Sequence, residues 1–431
     1  MVIALASSTT LLGLAVSAQD ARPASPTVAV EKPEPHPLRP MFDAFVNTIE
    51  NRFVNTDKLK EINWRTRAET AWPDVAKAKS ATDAAPRLNA LLAELKTSHT
   101  RVFTPDEPEF YILADVFGQS TAVPEVWGGP VVMPSIGVFT AKFDSRDHIT
   151  HVLEGSPADK AGLKIGDEIV SIDSAIYKPV ASFRAKVGTT VAVEIRRMKD
   201  GPIQIVVVPV VMMQPTVAFE RATSNSARVI ERNGKRIGYV HFWQMRDGDT
   251  FKNALEQIDG SRQQSRRQRN QNDPTAALDA LIIDNRVKIG GQANAGRSVI
   301  DLVANPRGGT AQYHGRDKSR PSQPMRSFAG RSTMLIDHGT RSAAEMFAFY
   351  YRYEKLGPLI GTTTAGAVTA ANAETLPGGL IMTVGVTNIT IDGQRLEGTG
   401  VKPDIEIARP IPYSNGADPV LDAAIEHLAK Q

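Results

Sequence analysis

Thr333-Met334-Leu335-Ile336-Asp337-His338-Gly339-Thr340-Arg341-Ser342-Ala343-Ala344-Glu345 runs from an aliphatic stretch through a glycine turn into small, helix-favouring residues. The expected elements are a strand over 333–337, a short polar turn, and a helix from Ser342 to Tyr353. A serine at a helix start has two readings. With Glu345 three residues later it forms a capping box that merely begins the helix. It is equally a nucleophile beside the positive end of a helix dipole, with the next amide, that of Ala343, ready to hold a developing oxyanion. This segment alone leaves both open.

Outward from it, strand and helix patterns alternate: Arg236 to Phe242, Thr250 to Ile258, Leu281 to Asp284, Ser298 to Val303. Such alternation predicts a mixed α/β core with a parallel sheet over 214–431. The polar loop between Gly260 and Pro274, with Arg262, Arg266, Arg267 and Arg269, reads as a solvated surface insertion. Upstream, short β-branched runs (Ile136 to Ala141, His148 to Leu153, Glu168 to Ile172, Val191 to Arg196, Ile203 to Val211) predict a β-rich module over 131–213. Within it, Gly155-Ser156-Pro157-Ala158-Asp159-Lys160-Ala161-Gly162-Leu163 followed by Gly166-Asp167-Glu168-Ile169-Val170-Ser171-Ile172 resembles the PDZ pattern of helix, turn and buried strand.

Before that module, Phe42, Phe45, Ile49 and Phe53, then Leu88, Leu91, Leu92 and Leu95, follow the helical period, so 41–104 is expected to be a helical domain. Residues 105–130 read as an irregular connection. At the start, an apolar run closing on Val16-Ser17-Ala18 predicts a signal peptide over 1–18, although no Lys or Arg precedes it. Residues 19–40, rich in Pro and Ala, read as an extended linker. The expected destination is export, to a periplasm or beyond, with no membrane-spanning segment in the mature chain.

Composition narrows the chemistry. The 431 residues are 42% hydrophobic and 23% charged, the balance of a globular protein of several domains. A net charge of +3 is too weak a field to favour nucleic acid as a partner. The absence of cysteine excludes disulfides, thiolate metal sites and a Cys nucleophile, so covalent catalysis must use oxygen or nitrogen. His148 and His151, three apart on a strand, face opposite ways and make a poor metal pair, and no cofactor or metal is expected.

Two further segments carry groups that acyl transfer needs. Asp284-Asn285-Arg286-Val287-Lys288-Ile289-Gly290-Gly291 is a strand entering a glycine pair, where the backbone could approach a carbonyl and aim an N–H at it; a plain tight turn explains it as well. Leu95-Lys96-Thr97-Ser98-His99-Thr100 ends the helical region, and Glu397 stands in Leu396-Glu397-Gly398-Thr399-Gly400-Val401-Lys402-Pro403-Asp404. A serine hydroxyl needs a base near neutral pH, and a histidine held by a carboxylate supplies one. Taken singly, His99 is a capping or surface histidine and Glu397 a loop carboxylate. His338, His241, Lys288 and Lys355 are competing bases, each less suited by its distance or strand setting.

The order of helical region, PDZ module and α/β core is similar to the C-terminal processing (tail-specific) serine peptidases and their relatives, which include the tricorn protease core. The resemblance implies Ser342, in Thr340-Arg341-Ser342-Ala343-Ala344-Glu345, as nucleophile. The processing branch carries its dyad lysine in a Phe-Gly-Lys-Gly element; here Thr364-Ala365-Gly366-Ala367-Val368-Thr369 puts Ala367 in that place. The tricorn-like branch uses Ser, His and Glu, and Ser98-His99 with Glu397 match it. The same resemblance implies a serine endopeptidase acting on extended polypeptides, with His99 as base, Glu397 and Ser98 orienting it, and the oxyanion held by Ala343 with Gly290 or Gly291. The PDZ module would take a peptide terminus by strand addition near Ser135-Ile136-Gly137-Val138. Activity would rise through roughly pH 6 to 8 as an imidazole deprotonates. The competing expectation is a catalytically inactive scaffold that binds peptides through the PDZ module, because the lysine is missing and the glycine turn lacks the family's Asn; hydrolysis of a non-peptide ester is a weaker third. Oligomeric state is not encoded in any of these motifs.

Overall fold

The computed structural model describes residues 36–116, 118, 129–259, 277–286, 290–303, 328, 330–391 and 393–430. The expected signal peptide, most of the linker, and Arg262 through Arg269 lie outside them. Residues 38–431 form one compact unit.

Four helices open the chain: Arg39–Arg52, Thr56–Glu61, Trp64–Val75 and Ala81–Ala93. They bury Phe42, Phe45, Ile49, Leu88, Leu91 and Leu92, the periodic residues of the sequence. The same core takes in Val102 of β1 (Arg101–Phe103) together with Leu376, Leu380, Met382 and Val384 from far along the chain. The helical region is thus completed by a distant hairpin, and that pairing carries Ser98 and His99 to the rest of the protein. The segment expected to be an irregular connection holds a helix, Pro108–Val116, with Phe110, Tyr111 and Ile112 buried. Its prolines and acidic residues hid a short apolar face that only tertiary packing makes helical.

Next come β2 (Met133–Ser135), β3 (Val138–Phe143), β4 (Arg146–Val152), β5 (Glu168–Ile172), β6 (Thr190–Arg196), β7 (Ile203–Pro209) and β8 (Val211–Met213). β3 to β7 form an antiparallel five-stranded sheet in chain order, and β2 pairs with β8 at its foot. Val191, Val193 and Ile195 alternate into the core of this module, as a half-buried strand requires. A short helix, Pro157–Lys160, is capped by the Ser156 side chain, as the Ser-Pro-Ala-Asp sequence prescribes.

The α/β core contains β9 (Arg228–Arg232), β10 (Lys235–His241), β11 (Ala280–Asp284), β12 (Arg331–Ile336) and β13 (Leu359–Gly361), then β14 (Ala370–Leu376), β15 (Leu380–Thr387), β16 (Thr390–Ile391), β17 (Gln394–Arg395) and β18 (Ile405–Glu406). Its main sheet has the order β18-β13-β12-β11-β10-β9, parallel except for β9. β11 is buried at all five positions, as a parallel strand covered on both faces must be. Helices Asp249–Ile258, Ala293–Val303 and Ala343–Tyr353 cover one face and Pro419–Ala429 the other. β14 and β15 leave this sheet, pair with β1, and supply the hairpin that completes the helical region. Among the described residues no helix is long and apolar enough to cross a membrane.

Candidate active site

In an open parallel sheet, functional groups gather beyond the carboxyl ends of the strands. There β12 ends, and Ser342 follows at the first corner of helix Ala343–Tyr353. Its backbone takes φ 57° and ψ −127°, a conformation that costs a non-glycine residue about 1–3 kcal/mol and persists only where its surroundings impose it. The surroundings do so. The Ser342 N–H donates to the Ala367 carbonyl at 2.8 Å, and the Glu345 N–H donates to the Ser342 carbonyl at 2.9 Å. The Glu345 side chain closes a capping box back to the Ser342 N–H, as its spacing predicts.

Glu345, fully buried, does more than cap the helix. Its carboxylate accepts from the Thr364 hydroxyl at 2.5 Å, the Gly366 N–H at 2.6 Å and the Ala367 N–H at 2.6 Å, with a longer contact to the Ser342 N–H at 3.3 Å. It therefore pins the strap 364–367 to the helix start at Ser342. Its position three residues after Ser342 suggested only a cap.

The strap continues directly to the other expected groups. The Val368 and Thr369 N–H groups donate to Glu397 Oε2 at 2.8 and 2.9 Å. The Ser98 hydroxyl donates to the same oxygen at 3.1 Å, and the Ser98 N–H to Oε1 at 3.1 Å. Ser98 Oγ in turn lies 2.8 Å from His99 Nδ1. Glu397 thus reaches the imidazole through a serine hydroxyl. Because Ser98 has one proton and gives it to Glu397, the neutral ring donates its Nδ1–H to Ser98 Oγ, leaving Nε2 as the proton acceptor.

Burial, and then the nearby Arg341 guanidinium, lower the His99 pKa to about 4 against an opposing pull from Glu397. The ring is therefore a neutral base well below pH 6, and the expected rise of activity between pH 6 and 8 does not follow from this environment. Burial works to raise the Glu397 pKa, but the Thr369 and Val368 amides and Ser98 outweigh it and hold the carboxyl below its usual range. Arg341, next to Ser342 in the chain, acts on the imidazole and was not singled out in the sequence.

The two glycines separate clearly. A Cβ on Gly290 would fall 2.4 Å from Ser342 Cβ and 2.8 Å from its Oγ, so the Gly290 backbone lies against the Ser342 side chain. Gly291, with φ 154°, instead faces Met245, whose carbonyl would be 2.1 Å from an added Cβ. Ala343 is the first helical residue, and its N–H has no intrahelical acceptor. Asn285 ties this turn to the helix: its Nδ2 donates to the Ala344 carbonyl at 2.9 Å, and the Thr340 hydroxyl donates to its own carbonyl, also at 2.9 Å.

The competing bases stand apart from this group. His338 and Lys355 are exposed, and Lys288 lies outside the described residues. His241 is buried between Glu154 and the Arg286 carbonyl. Among the described residues no cluster of His, Asp and Glu could hold a metal. In the β-rich module, Ser135, Ile136, Gly137 and Val138 are buried. The Gly137 N–H is taken by Ser135 Oγ, and the Ile136 and Gly137 carbonyls accept from Ala158 and Leu153. β3, which follows them, is an edge strand.

Comparison with known proteins agrees with this architecture. Residues 236–407 match the model of peptidase family S41, and residues 148–175 match a PDZ domain. The chain is 25% identical over 292 residues to the carboxy-terminal processing protease CtpA of Bacillus subtilis, covering 64% of this chain and 58% of that protein. It is 25% identical over 349 residues to the tricorn protease of Thermoplasma volcanium, covering 73% of this chain and 31% of that one. It therefore spans less than two thirds of either relative. The solved structure titled photosystem II D1 C-terminal processing protease superposes with a TM-score of 0.50 at 19% identity, covering 90% of this chain and 96% of that one. Residues 236–407, which hold the strand-to-helix corner at Ser342 and the strap from Thr364 to Thr369, thus match a peptidase family S41 domain, and residues 148–175, ahead of them, a PDZ domain.

Proposed function

We propose that the chain is a serine endopeptidase acting on extended or partly unfolded polypeptides through an acyl-enzyme. The observation that carries this reading is the hydrogen-bonded series Glu397–Ser98–His99, linked through the consecutive residues Ala367 and Val368 to a strained Ser342. His99 Nε2 takes the Ser342 proton, Oγ attacks the scissile carbonyl, and the charge gathering on its oxygen is met by the Ala343 and Gly290 amides. The imidazolium then protonates the leaving amine, and water repeats the sequence to release the acid. Gly290 is preferred to Gly291 because its backbone lies against Ser342 while Gly291 is turned to Met245. A substrate terminus adds as a strand alongside β3, the outer strand of the PDZ sheet. The apolar N-terminal run supports export.

A fluorophosphonate probe tests this. Labelling of the parent and none of Ser342→Ala is the expected result; a parent that binds peptides yet never labels would favour the inactive scaffold.

The acid side of the pH profile offers a second test. With the His99 pKa at about 4, the rate of labelling should stay level on descending from neutrality and fall only near pH 4. An acid limb at the ordinary imidazole value of about 6.5 would mean that the ring is not desolvated. The same depression destabilises the fold in acid: the unfolded ring takes up its proton near 6.5, the folded ring only near 4, so stability falls between those values.

A further inference from the structure

His241 closes β10 on the side of the core that meets the PDZ module. Its Nδ1 lies 3.1 Å from Oε1 of Glu154, which stands between β4 and helix Pro157–Lys160. Its Nε2 lies 3.3 Å from the carbonyl oxygen of Arg286, in the segment that leads from β11 to Gly290. A carboxylate and a carbonyl are both acceptors only, so the ring satisfies both when it carries two N–H groups, that is, as imidazolium. The second Glu154 oxygen is occupied by the Trp243 indole N–H at 2.5 Å, and that indole packs against the His241 ring with centroids 4.0 Å apart. The His241 backbone N–H is held by Ser226 Oγ at 2.8 Å. The ring is thus fixed in orientation, and its protonation state decides which contacts survive.

We propose that protonated His241 is a positioning residue, a bridge by which Glu154 of the PDZ module holds the end of β11 at the Arg286 carbonyl, four residues before Gly290 in the chain. This deepens the serine peptidase reading and rests on it for the role of Gly290. The charged groups facing the ring are Glu154 from the PDZ module and Asp284 and Arg286 from the end of β11; His151 of β4 lies beyond the Trp243 indole. Burial opposes the charged ring, yet Asp284 and Glu154 together raise its pKa above the usual imidazole value. When the ring does deprotonate, the proton left on it stays with the carboxylate, the stronger acceptor. Nε2 then turns a lone pair towards the Arg286 carbonyl, and the hold on that carbonyl is lost.

Glu154→Gln discriminates this bridge from a plain structural contact. The side-chain amide so introduced can accept from Trp243 through its oxygen while its NH₂ donates to His241 Nδ1, so a neutral ring keeps its Nε2–H on Arg286 at every pH. The measurement is the rate of fluorophosphonate labelling at about pH 9 relative to about pH 6.5, corrected for probe hydrolysis, with the ring ¹⁵N–¹H signals of His241 followed over the same range. For the parent the ratio should fall on the order of tenfold, a fraction of the cost of losing one oxyanion donor, and for Glu154→Gln it should stay near one. Parallel profiles in the two proteins, or a level parent, overturn the proposal. If the parent never labels, the peptidase reading fails by itself. The ring signals then judge the bridge: two N–H resonances near pH 6.5 with the Nε2–H lost on alkalinisation uphold it, and a single N–H resonance throughout overturns it.

Discussion

Ser98→Ala is expected to lower kcat on an unfolded polypeptide by roughly 10²–10⁴ with little change in KM, a loss approaching that of His99→Gln. The reason is the serine's place in the relay. Ser98 Oγ is the group that joins His99 Nδ1 to Glu397, at 2.8 Å on one side and 3.1 Å on the other. Without it the Nδ1–H has lost its acceptor, and the ring is released to the tautomer that carries its proton on Nε2, the nitrogen that the proposed mechanism needs as a base. Ser98→Thr keeps a hydroxyl and should recover much of the rate. Glu397→Gln should be as damaging as Ser98→Ala: Oε2 accepts from Ser98, Val368 and Thr369 and Oε1 from the Ser98 amide, so an amide NH₂ in either place meets a donor. Steady-state kinetics beside thermal unfolding separates this from misfolding. A Ser98→Ala rate within threefold of the parent would remove the serine from the mechanism.

Much of this arrangement was legible in the residues, for identifiable reasons. The alternation of β-branched runs and helical stretches anticipated the parallel sheet because a strand buried on both faces is apolar along most of its length, as Ala280, Leu281, Ile282 and Ile283 are. The helix at Ala343 was legible from the small residues Ser342, Ala343 and Ala344 that follow a strand and a glycine turn. The helix Pro108–Val116 was not, because its apolar residues answer to partners in other parts of the chain, such as Phe219 and Trp243. The site divides the same way. Ser342, His99, Ser98 and Glu397 could be named from residue type and resemblance, yet their joining depends on amides of Val368 and Thr369, and a backbone donor leaves no trace in side-chain identity. Glu345 was seen with only one of its partners for a related reason: spacing along a helix reveals the local cap on Ser342, not a loop that returns from residues 364–367. His241 reads from its strand setting as a structural histidine, and only the opposed acceptors Glu154 and Arg286 bring that reading into question.

The largest loss of stability is expected at Arg286, where the sheet stores a buried charge. The side chain is 2% exposed and donates from Nε and Nη2 to both oxygens of Asp284, itself 1% exposed, at 2.9 and 2.5 Å. It also donates to both oxygens of Asp418, which caps the C-terminal helix and has Arg409 as a further partner at 3.2 Å. Arg286→Met removes the cation and keeps most of the volume. Asp418 retains Arg409, but Asp284 is left with the Tyr239 hydroxyl at 2.7 Å as its remaining side-chain donor. Stranding a buried charge in this way costs about 3–5 kcal/mol, to be read as a lowered urea midpoint. Adding Asp284→Leu should return most of that loss, since a paired charge and a matched apolar pair differ little where a lone charge is severe. The pH dependence carries the same sign. In the parent, burial raises the Asp284 pKa but Arg286 more than reverses it, so the paired carboxylate stabilises the fold above its unfolded pKa near 3.9 and that contribution is lost on acidification. In Arg286→Met burial prevails, the folded state takes up the proton first, and the gap between variant and parent should narrow as pH falls from neutrality. A gap below about 1 kcal/mol at neutral pH, unchanged in acid, would mean that Asp284 does not carry its charge in the native fold.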